Sequence, residues 1–235
     1  MNTRLPEQAA VTADDILTEL IARYPQLKHL ASEISTACSL IADAFTGGHK
    51  LLIAGNGGSA ADSGHIAGEL GKSFKFKRTL PKAEQERYDD LFGADGKALA
   101  AALECGLPAV ALPDFTALNT AIINDLGGEY VFAQGVNALG QKGDVFLAIS
   151  TSGNSQNLVS ACMCAKVKGL CCIALTGKQP CRLDSLCEHV IHVPETKTFK
   201  VQELHLPVYH ALCAMLEAIF FAQPGQSSGE GACIS

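Results

Sequence analysis

The chain alternates short apolar runs with longer segments of mixed polarity. Five runs, LLIAG, PAVAL, DVFLAIS, LCCIALTG and HVIHVP, predict buried strands over 51–55, 108–112, 144–150, 170–177 and 189–194. Helix-like stretches begin near Gly58, Phe115, Asn154 and Arg182, and a last helix is expected from about Val201 to Phe221. Strands that are apolar throughout and separated by helices indicate a parallel sheet covered on both faces, so the fold class is α/β.

Two helices are expected before the first strand. Thr12 or Asp14 is placed to cap the first, and apolar residues from Leu27 to Phe45 recur at helical spacing in the second. Residues 72–105 interrupt the alternation, because they begin basic (KSFKFKR) and become helix-like only at DGKALAAALEC. This segment predicts an extra excursion after the first strand–helix unit.

The domain boundaries follow from these patterns and from the composition of the two ends. We expect one domain over 12–222, a flexible N-terminus over 1–11 and a disordered, glycine- and serine-rich tail over 223–235.

Composition narrows the function classes. The net charge of −6 argues against nucleic-acid or anionic-membrane binding, which usually needs a basic face. No apolar run is expected to span a bilayer, and MNTRLPEQAA does not resemble a signal peptide. The ten cysteines form no CxxC pair, which favours reduced thiols and a cytoplasmic protein. The basic cluster Lys72, Lys75, Lys77 and Arg78 is compatible with anion steering or, more simply, with a solvated face.

The stretch LLIAGNGGSAADSGHIAGE carries a glycine turn between a strand and a helix. Glycines let a ligand approach the backbone, and the free amides at the start of the helix favour an anion. Gly55-x-Gly57-x-x-Ala60 formally matches a dinucleotide fingerprint. That fingerprint also needs an acidic residue about 20 positions later, where this chain is basic. We therefore expect no nucleotide cofactor.

A second turn, AISTSGNSQN, crowds hydroxyl groups at another strand-to-helix junction. It contains Ser150, Thr151, Ser152 and Ser155. Hydroxyl and amide donors suit a phosphate, which offers only acceptor oxygens. The alternative is that these serines cap a helix and fill a turn.

Acid–base chemistry is suggested by two helical segments. His65 and Glu69 lie four residues apart and share a helix face, as catalytic groups or as an exposed ion pair. The final helix begins KVQELHLPVYH, in which Gln202 and His210 are about 80° apart around an ideal helix. Pro207 lies between them and is expected to kink or restart the helix.

The combination of these segments resembles the SIS (sugar isomerase) domain family and, within it, the phosphoheptose isomerases. The matching pieces are GNGGS, the HxxxE that follows it, IND at 123–125, STSGNS and QELHLPVYH, over roughly residues 12–222. The resemblance implies a five-stranded, flavodoxin-like parallel sheet flanked by helices. It also implies a homotetramer with active sites between subunits. The excursion is longer than the usual link of the family.

The resemblance also implies roles for individual residues. A phosphosugar would be bound by Asn56, Gly57, Gly58, Ser59, Glu69, Asn124, Asp125, Ser150, Thr151, Ser152, Ser155 and Gln202. Glu69 and His210 match the catalytic pair. The ligands of the zinc-containing members are matched by His65, Glu69, Gln202 and His210.

The implied function is a phosphosugar aldose–ketose isomerase that converts sedoheptulose 7-phosphate to D-glycero-D-manno-heptose 7-phosphate through an enediol. Such an enzyme would serve heptose and lipopolysaccharide biosynthesis. One alternative is an isomerase of a different phosphosugar. Another is a non-catalytic SIS protein that binds a replication initiator or senses a phosphosugar, although the presence of both Glu69 and His210 argues against it.

Overall fold

The computed structural model describes residues 11–222. The expected flexible N-terminus and disordered tail therefore lie, apart from Val11, outside the described residues. The strands are β1 (Leu51–Gly55), β2 (Ala109–Ala111), β3 (Val145–Ser150), β4 (Cys171–Thr176) and β5 (His189–His192). The α-helices are α1 (Ala13–Arg23), α2 (Ala31–Thr46), α3 (Gly58–Gly71), α4 (Lys82–Ala102), α5 (Thr116–Asp125), α6 (Val131–Leu139), α7 (Gln156–Lys168) and α8 (Thr198–Phe221).

The five strands form one sheet in the order β2-β1-β3-β4-β5, and every neighbouring pair is parallel. The prediction of a five-stranded, flavodoxin-like parallel sheet is thus confirmed. The strand order reverses between β1 and β3, and ligands of such sheets bind beyond the carboxyl ends of the strands at this point. The glycine turn follows β1 and the serine-rich turn follows β3, so both predicted turns open at that position.

Apolar residues on the two faces of the sheet belong to separate cores. On one face Ile53 packs with side chains of α1, α2, α3 and α8. On the other face Leu52 and Ala54 pack with side chains of α5, α6 and α7. Because both faces are covered, the strands show no alternation of polar and apolar residues.

Several helix boundaries refine the predictions. Thr12 caps α1 through a capping box with Asp15, which decides between the two predicted caps. The predicted second helix begins as a 3-10 helix at Pro25–Leu30 and becomes α-helical only from Ala31. The expected helix near Arg182 is wrong, since only a four-residue 3-10 helix, Arg182–Ser185, forms there.

The excursion folds into α4, which contains a break at Gly93, where φ is 58°. An antiparallel bridge between Thr79 and Glu104 closes the two ends of the excursion into a stem. At its start Arg78 is only 1% exposed. The interpretation of Arg78 as part of a solvated basic face is therefore wrong, because Arg78 is buried in an ion pair with Glu217 of α8.

Helix α8 crosses one face of the sheet as a single helix. Pro207 lies inside it without ending it, so the expected restart does not occur. The helix is long and apolar enough to cross a membrane, contrary to expectation, but 72% of its most apolar window is buried inside the protein. We therefore interpret α8 as a core helix of the fold.

Eight of the described cysteines are free thiols, while Cys105 is disulfide-bonded. The expectation of reduced thiols holds for those eight cysteines and is wrong for Cys105.

Candidate active site

The glycine turn places the start of α3 at the carboxyl end of β1. Gly57 immediately precedes α3 with φ of 56°, a backbone conformation that side chains with a Cβ rarely adopt. Asn56, Gly57 and Gly58 are exposed, whereas Ser59 is buried. The first amides of α3 receive no side-chain cap within the described chain. This turn therefore offers open backbone donors at the sheet edge.

The serine-rich turn after β3 is held together by its own hydroxyl groups. Ser150 Oγ accepts from the Gly153 amide at 3.1 Å and lies 3.3 Å from Ser155 Oγ. Ser152 Oγ accepts from the Asn154 amide at 3.2 Å. Ser155 occupies the N-cap position of α7 but makes no capping bond there.

This arrangement argues against the helix-capping half of the alternative and agrees with its turn-filling half, since Ser150 and Ser152 accept from amides within the turn. The first turn of α7 keeps its amides uncapped by side chains in the described structure, and the hydroxyls instead order the loop around them. Free helix amides next to hydroxyl groups are suited to an anion such as phosphate.

Two contacts connect the turns to each other and to α8. Asn56 and Asn157 exchange side-chain amide hydrogen bonds of 3.0 and 2.8 Å, which join the β1 and β3 turns. The Gln202 amide lies directly against Gly58, where an added Cβ would overlap its nitrogen. Gln202 thus lies at the glycine turn.

The ionisable candidates meet further along α3. His65 Nε2 lies 3.1 Å from Glu69 Oε1 and 3.4 Å from His210 Nε2. Lys72 Nζ lies 3.6 Å from the other oxygen of Glu69. The Glu69 side chain is 17% exposed and that of His65 is 42% exposed. The structure thus brings Glu69 and His210, the catalytic pair that the resemblance implies, into one cluster with His65.

Two residues that the sequence analysis missed complete this cluster. Tyr209 Oη lies 3.1 Å from His65 Nδ1 and donates to Asp62 Oδ1 at 3.1 Å. Asp62 precedes His65 by three residues on α3, and Tyr209 is next to His210. The position of Asp62 on the same face of α3 as His65 was the only sequence signal available, because adjacent residues such as Tyr209 and His210 do not share a helix face.

Burial changes the protonation of several of these groups. It lowers the pKa of His210, with the neighbouring His65 ring adding to the shift and Glu69 opposing it. Burial also raises the pKa of Asp62, against the effect of the hydrogen bond from Tyr209. A neutral imidazole at His210 can accept a proton, as a general base must.

The donor set is suited to zinc in type. Two imidazole nitrogens and a carboxylate oxygen are usual zinc ligands. Within residues 11–222, however, no group of three His, Cys, Asp or Glu residues is arranged as a metal site. Gln202, the fourth residue that the resemblance assigns to zinc, lies against Gly58 at the glycine turn.

Asn124 and Asp125 lie at the end of α5 and hydrogen-bond to each other at 2.7 Å. The structure does not join this pair to the other candidates through any described hydrogen bond.

His210 also lines a cleft of about 400 Å³ between α1 and α8, together with Arg23, Tyr24, Phe74, Lys75 and Pro207 among others. This cleft touches the candidate site through His210.

Comparison with known proteins gives consistent matches. The SIS domain family matches residues 17–86 and 89–177. A phosphoheptose isomerase of Burkholderia pseudomallei (strain 1710b) is 40% identical over 194 residues, which cover 83% of this chain and 85% of that protein. A phosphoheptose isomerase of Aneurinibacillus thermoaerophilus is 36% identical over 203 residues, covering 86% and 88%.

Solved structures agree with these relatives. A phosphoheptose isomerase from Neisseria gonorrhoeae superposes with a TM-score of 0.67 at 32% identity, over 86% of this chain and 94% of that one. A phosphoheptose isomerase from Francisella tularensis gives a TM-score of 0.66 at 26% identity, over 87% and 95%.

Proposed function

The chain belongs to the SIS domain family, and we propose that it is an aldose–ketose isomerase of phosphorylated sugars, with sedoheptulose 7-phosphate as substrate and D-glycero-D-manno-heptose 7-phosphate as product. The proposal is supported by relatives that carry the name phosphoheptose isomerase and match most of their own length. The single observation that carries it is the cluster of Glu69 and His210 around His65, which joins α3, the helix that begins at the glycine turn, to α8.

The phosphate is assigned to the serine-rich turn. The hydroxyls of Ser152 and Ser155 and the first amides of α7 would donate to its oxygens. Such donors hold an anion without the lysine field that this acidic chain lacks. Asn56 would align the two turns through its amide pair with Asn157. Thr151, Asn124 and Asp125 are included by resemblance alone.

The chemistry is assigned to Glu69 and His210. Glu69 takes a proton from C1 of the ketose, and the electron pair moves to form an enediol between C1 and C2. His210 moves a proton from the C1 hydroxyl to the C2 oxygen, and return of the carbon-bound proton at C2 gives the aldose. A carboxylate and an imidazole suit these transfers near neutral pH. Burial of His210, which lowers its pKa, keeps it able to accept a proton.

Zinc is part of the proposal. His65, Glu69 and His210 would hold it, with Gln202 as the further ligand by resemblance. Zinc would supply stabilisation of the negative charge that develops on the enediol oxygen.

Assembly and location complete the proposal. A homotetramer with sites between subunits is supported by exposed apolar side chains on and next to α5, namely Phe115, Leu118, Ile123, Leu126 and Tyr130. We place the enzyme in the cytoplasm because the eight free cysteines are expected to stay reduced there. The disulfide at Cys105 argues against this location, and cell fractionation decides between the two.

The test is an assay of the purified protein against five-, six- and seven-carbon ketose phosphates in deuterium oxide. We expect the seven-carbon substrate to react fastest and to gain deuterium at the carbon next to the carbonyl. Glu69→Gln keeps the shape and removes the base, so kcat should fall by about 10²–10⁴-fold with little change in KM. The matched control is Glu86→Gln on exposed α4.

The phosphate assignment has a separate readout. Ser155→Ala should raise KM and weaken inhibition by inorganic phosphate, while Ser39→Ala on α2 should change neither. Conversion of a shorter ketose phosphate alone would favour the alternative phosphosugar. Turnover of no phosphosugar would favour the non-catalytic alternative.

A further inference from the structure

Asp62, Tyr209 and His65 form a chain of hydrogen bonds that ends beside Glu69 and His210. Asp62 Oδ1 lies 3.1 Å from Tyr209 Oη, and that oxygen lies 3.1 Å from His65 Nδ1. Tyr209 is only 1% exposed. Its hydroxyl is therefore confined to these partners rather than shared with solvent.

The direction of these bonds fixes where the His65 proton lies. A tyrosine hydroxyl has one proton, and here that proton is donated to the Asp62 carboxylate. The hydroxyl oxygen can then only accept from His65, which requires a hydrogen on Nδ1. The lone pair of a neutral His65 is consequently on Nε2.

That lone pair faces the Glu69 carboxylate, which is an acceptor, and the His210 ring nitrogen, whose role depends on its tautomer. His65 Nε2 is 3.1 Å from the Glu69 carboxylate and 3.4 Å from His210 Nε2. Acceptors at such distances repel each other unless a proton or a metal cation lies among them. The chain of hydrogen bonds thus prepares a place for a positive charge beside Glu69.

We propose that Tyr209 and Asp62 are positioning residues, which hold His65 with its proton on Nδ1 and present Nε2 to Glu69 and His210. Histidine ligands of metals are oriented in this way by a partner on the other ring nitrogen, and loss of that partner typically costs about 10–100-fold in metal affinity. The proposal rests on the proposed function for the role of Glu69 and His210, but the proton position can be measured without it.

The first measurement uses metal-free protein labelled with ¹⁵N-histidine, without substrate. One of the seven histidines, His65, is assigned by the signals lost in His65→Gln. In the wild type we expect neutral His65 to carry its proton on Nδ1. Tyr209→Phe removes the acceptor, so the proton should move to Nε2, where Glu69 accepts it.

Asp62→Ala should move the proton in the same way by a different route. Without the carboxylate, the Tyr209 hydroxyl proton is free to turn towards His65 Nδ1. Tyr88→Phe, the same change within the excursion helix α4, is the control and should leave the His65 proton on Nδ1.

The second measurement is zinc titration of the metal-free variants, and the third is steady-state kinetics. Tyr209→Phe should weaken zinc binding by about 10–100-fold and lower kcat, while KM and inhibition by inorganic phosphate stay as in the wild type. If the wild type converts no phosphosugar, the proposed function fails while the proton position and zinc affinity still test this inference. The inference would be overturned if Tyr209→Phe matched the Tyr88→Phe control in the His65 proton position, in zinc affinity and in kcat.

Discussion

Replacing Arg78 by methionine should lower the free energy of unfolding by about 3–5 kcal/mol, the usual cost of removing one partner of a buried ion pair. Arg78 Nε donates to Glu217 Oε1 at 2.8 Å, and both side chains are 0% exposed. Arg78→Met leaves the Glu217 carboxylate in the interior without its counter-ion. Further contacts of Arg78 increase the expected loss of stability, and further contacts of Glu217 limit it.

The same guanidinium closes the end of α3. Its two terminal nitrogens donate to the carbonyls of Leu70 and Glu69 at 2.7 and 3.1 Å, and the group stacks 4.8 Å from the Phe221 ring. The substitution therefore also removes a cationic C-terminal cap, worth about 0.3–1 kcal/mol.

Backbone amides limit the loss. The Glu217 carboxylate also accepts from the amides of Phe74, Lys75 and Phe76 at 2.8, 2.6 and 3.2 Å. These bonds remain in Arg78→Met and continue to stabilise the negative charge. We therefore place the expected loss near the lower end, at about 3 kcal/mol.

Urea unfolding at one fixed protein concentration is the assay, since assembly makes apparent stability depend on concentration. Arg78→Met combined with Glu217→Gln removes both charges and keeps an acceptor for the backbone amides. Its loss should be smaller than the sum of the two single losses by about 1–3 kcal/mol. Lys77→Met, the exposed neighbour, should stay within about 0.5 kcal/mol of the wild type. Additive losses, or a loss in Arg78→Met no larger than in Lys77→Met, would refute the reasoning.

Two further predictions concern α8 and the glycine turn. Burial lowers the pKa of His205 to about 4, with the Thr176 backbone opposing the shift, whereas an unfolded histidine titrates near about 6.5. The unfolded chain takes up its proton first as the pH falls, so stability should drop by about 3 kcal/mol between roughly pH 6.5 and 4. Urea titrations of His205→Leu should lack this drop, and an unchanged pH profile would contradict it. Gly58→Ala should raise KM several-fold because the new Cβ displaces the Gln202 amide. Gly68→Ala, whose Cβ meets open space, is the kinetic control and should stabilise α3 by about 0.5–1 kcal/mol.

The parts of the fold that could be predicted are those with a local sequence signal. A buried parallel strand is an uninterrupted apolar run, and all five such runs are strands. The glycine and serine turns were placed correctly because strand order brings the carboxyl ends of β1 and β3 together. The break between α5 and α6 was not predicted, although Gly127 has φ of 116° there.

The contacts that were missed join residues distant in the sequence. Arg78 and Glu217 are separated by 139 residues, and Tyr209 and Asp62 by 147. In a sequence, Arg78 is one of several basic residues in KSFKFKR, and nothing local distinguishes it from its exposed neighbour Lys77. A charge is recognised as buried only when the fold supplies its partner.

Helices α3 and α8 lie side by side and run in the same direction, with contacts at three levels. Gln202 meets Gly58 at the turns, His210 meets His65 in the middle, and at the far end Glu217 reaches α3 through Arg78.

The excursion begins at this third level. Its stem is closed by the Thr79–Glu104 bridge and by the Cys105 amide, which donates to the Arg78 carbonyl at 2.8 Å. Because the stem closes beside the buried ion pair, α4 leaves and rejoins the fold at a fixed point. We therefore expect a change in the length of the inserted helix to leave the distance between α3 and α8 unchanged, and with it the cluster of Glu69 and His210 around His65.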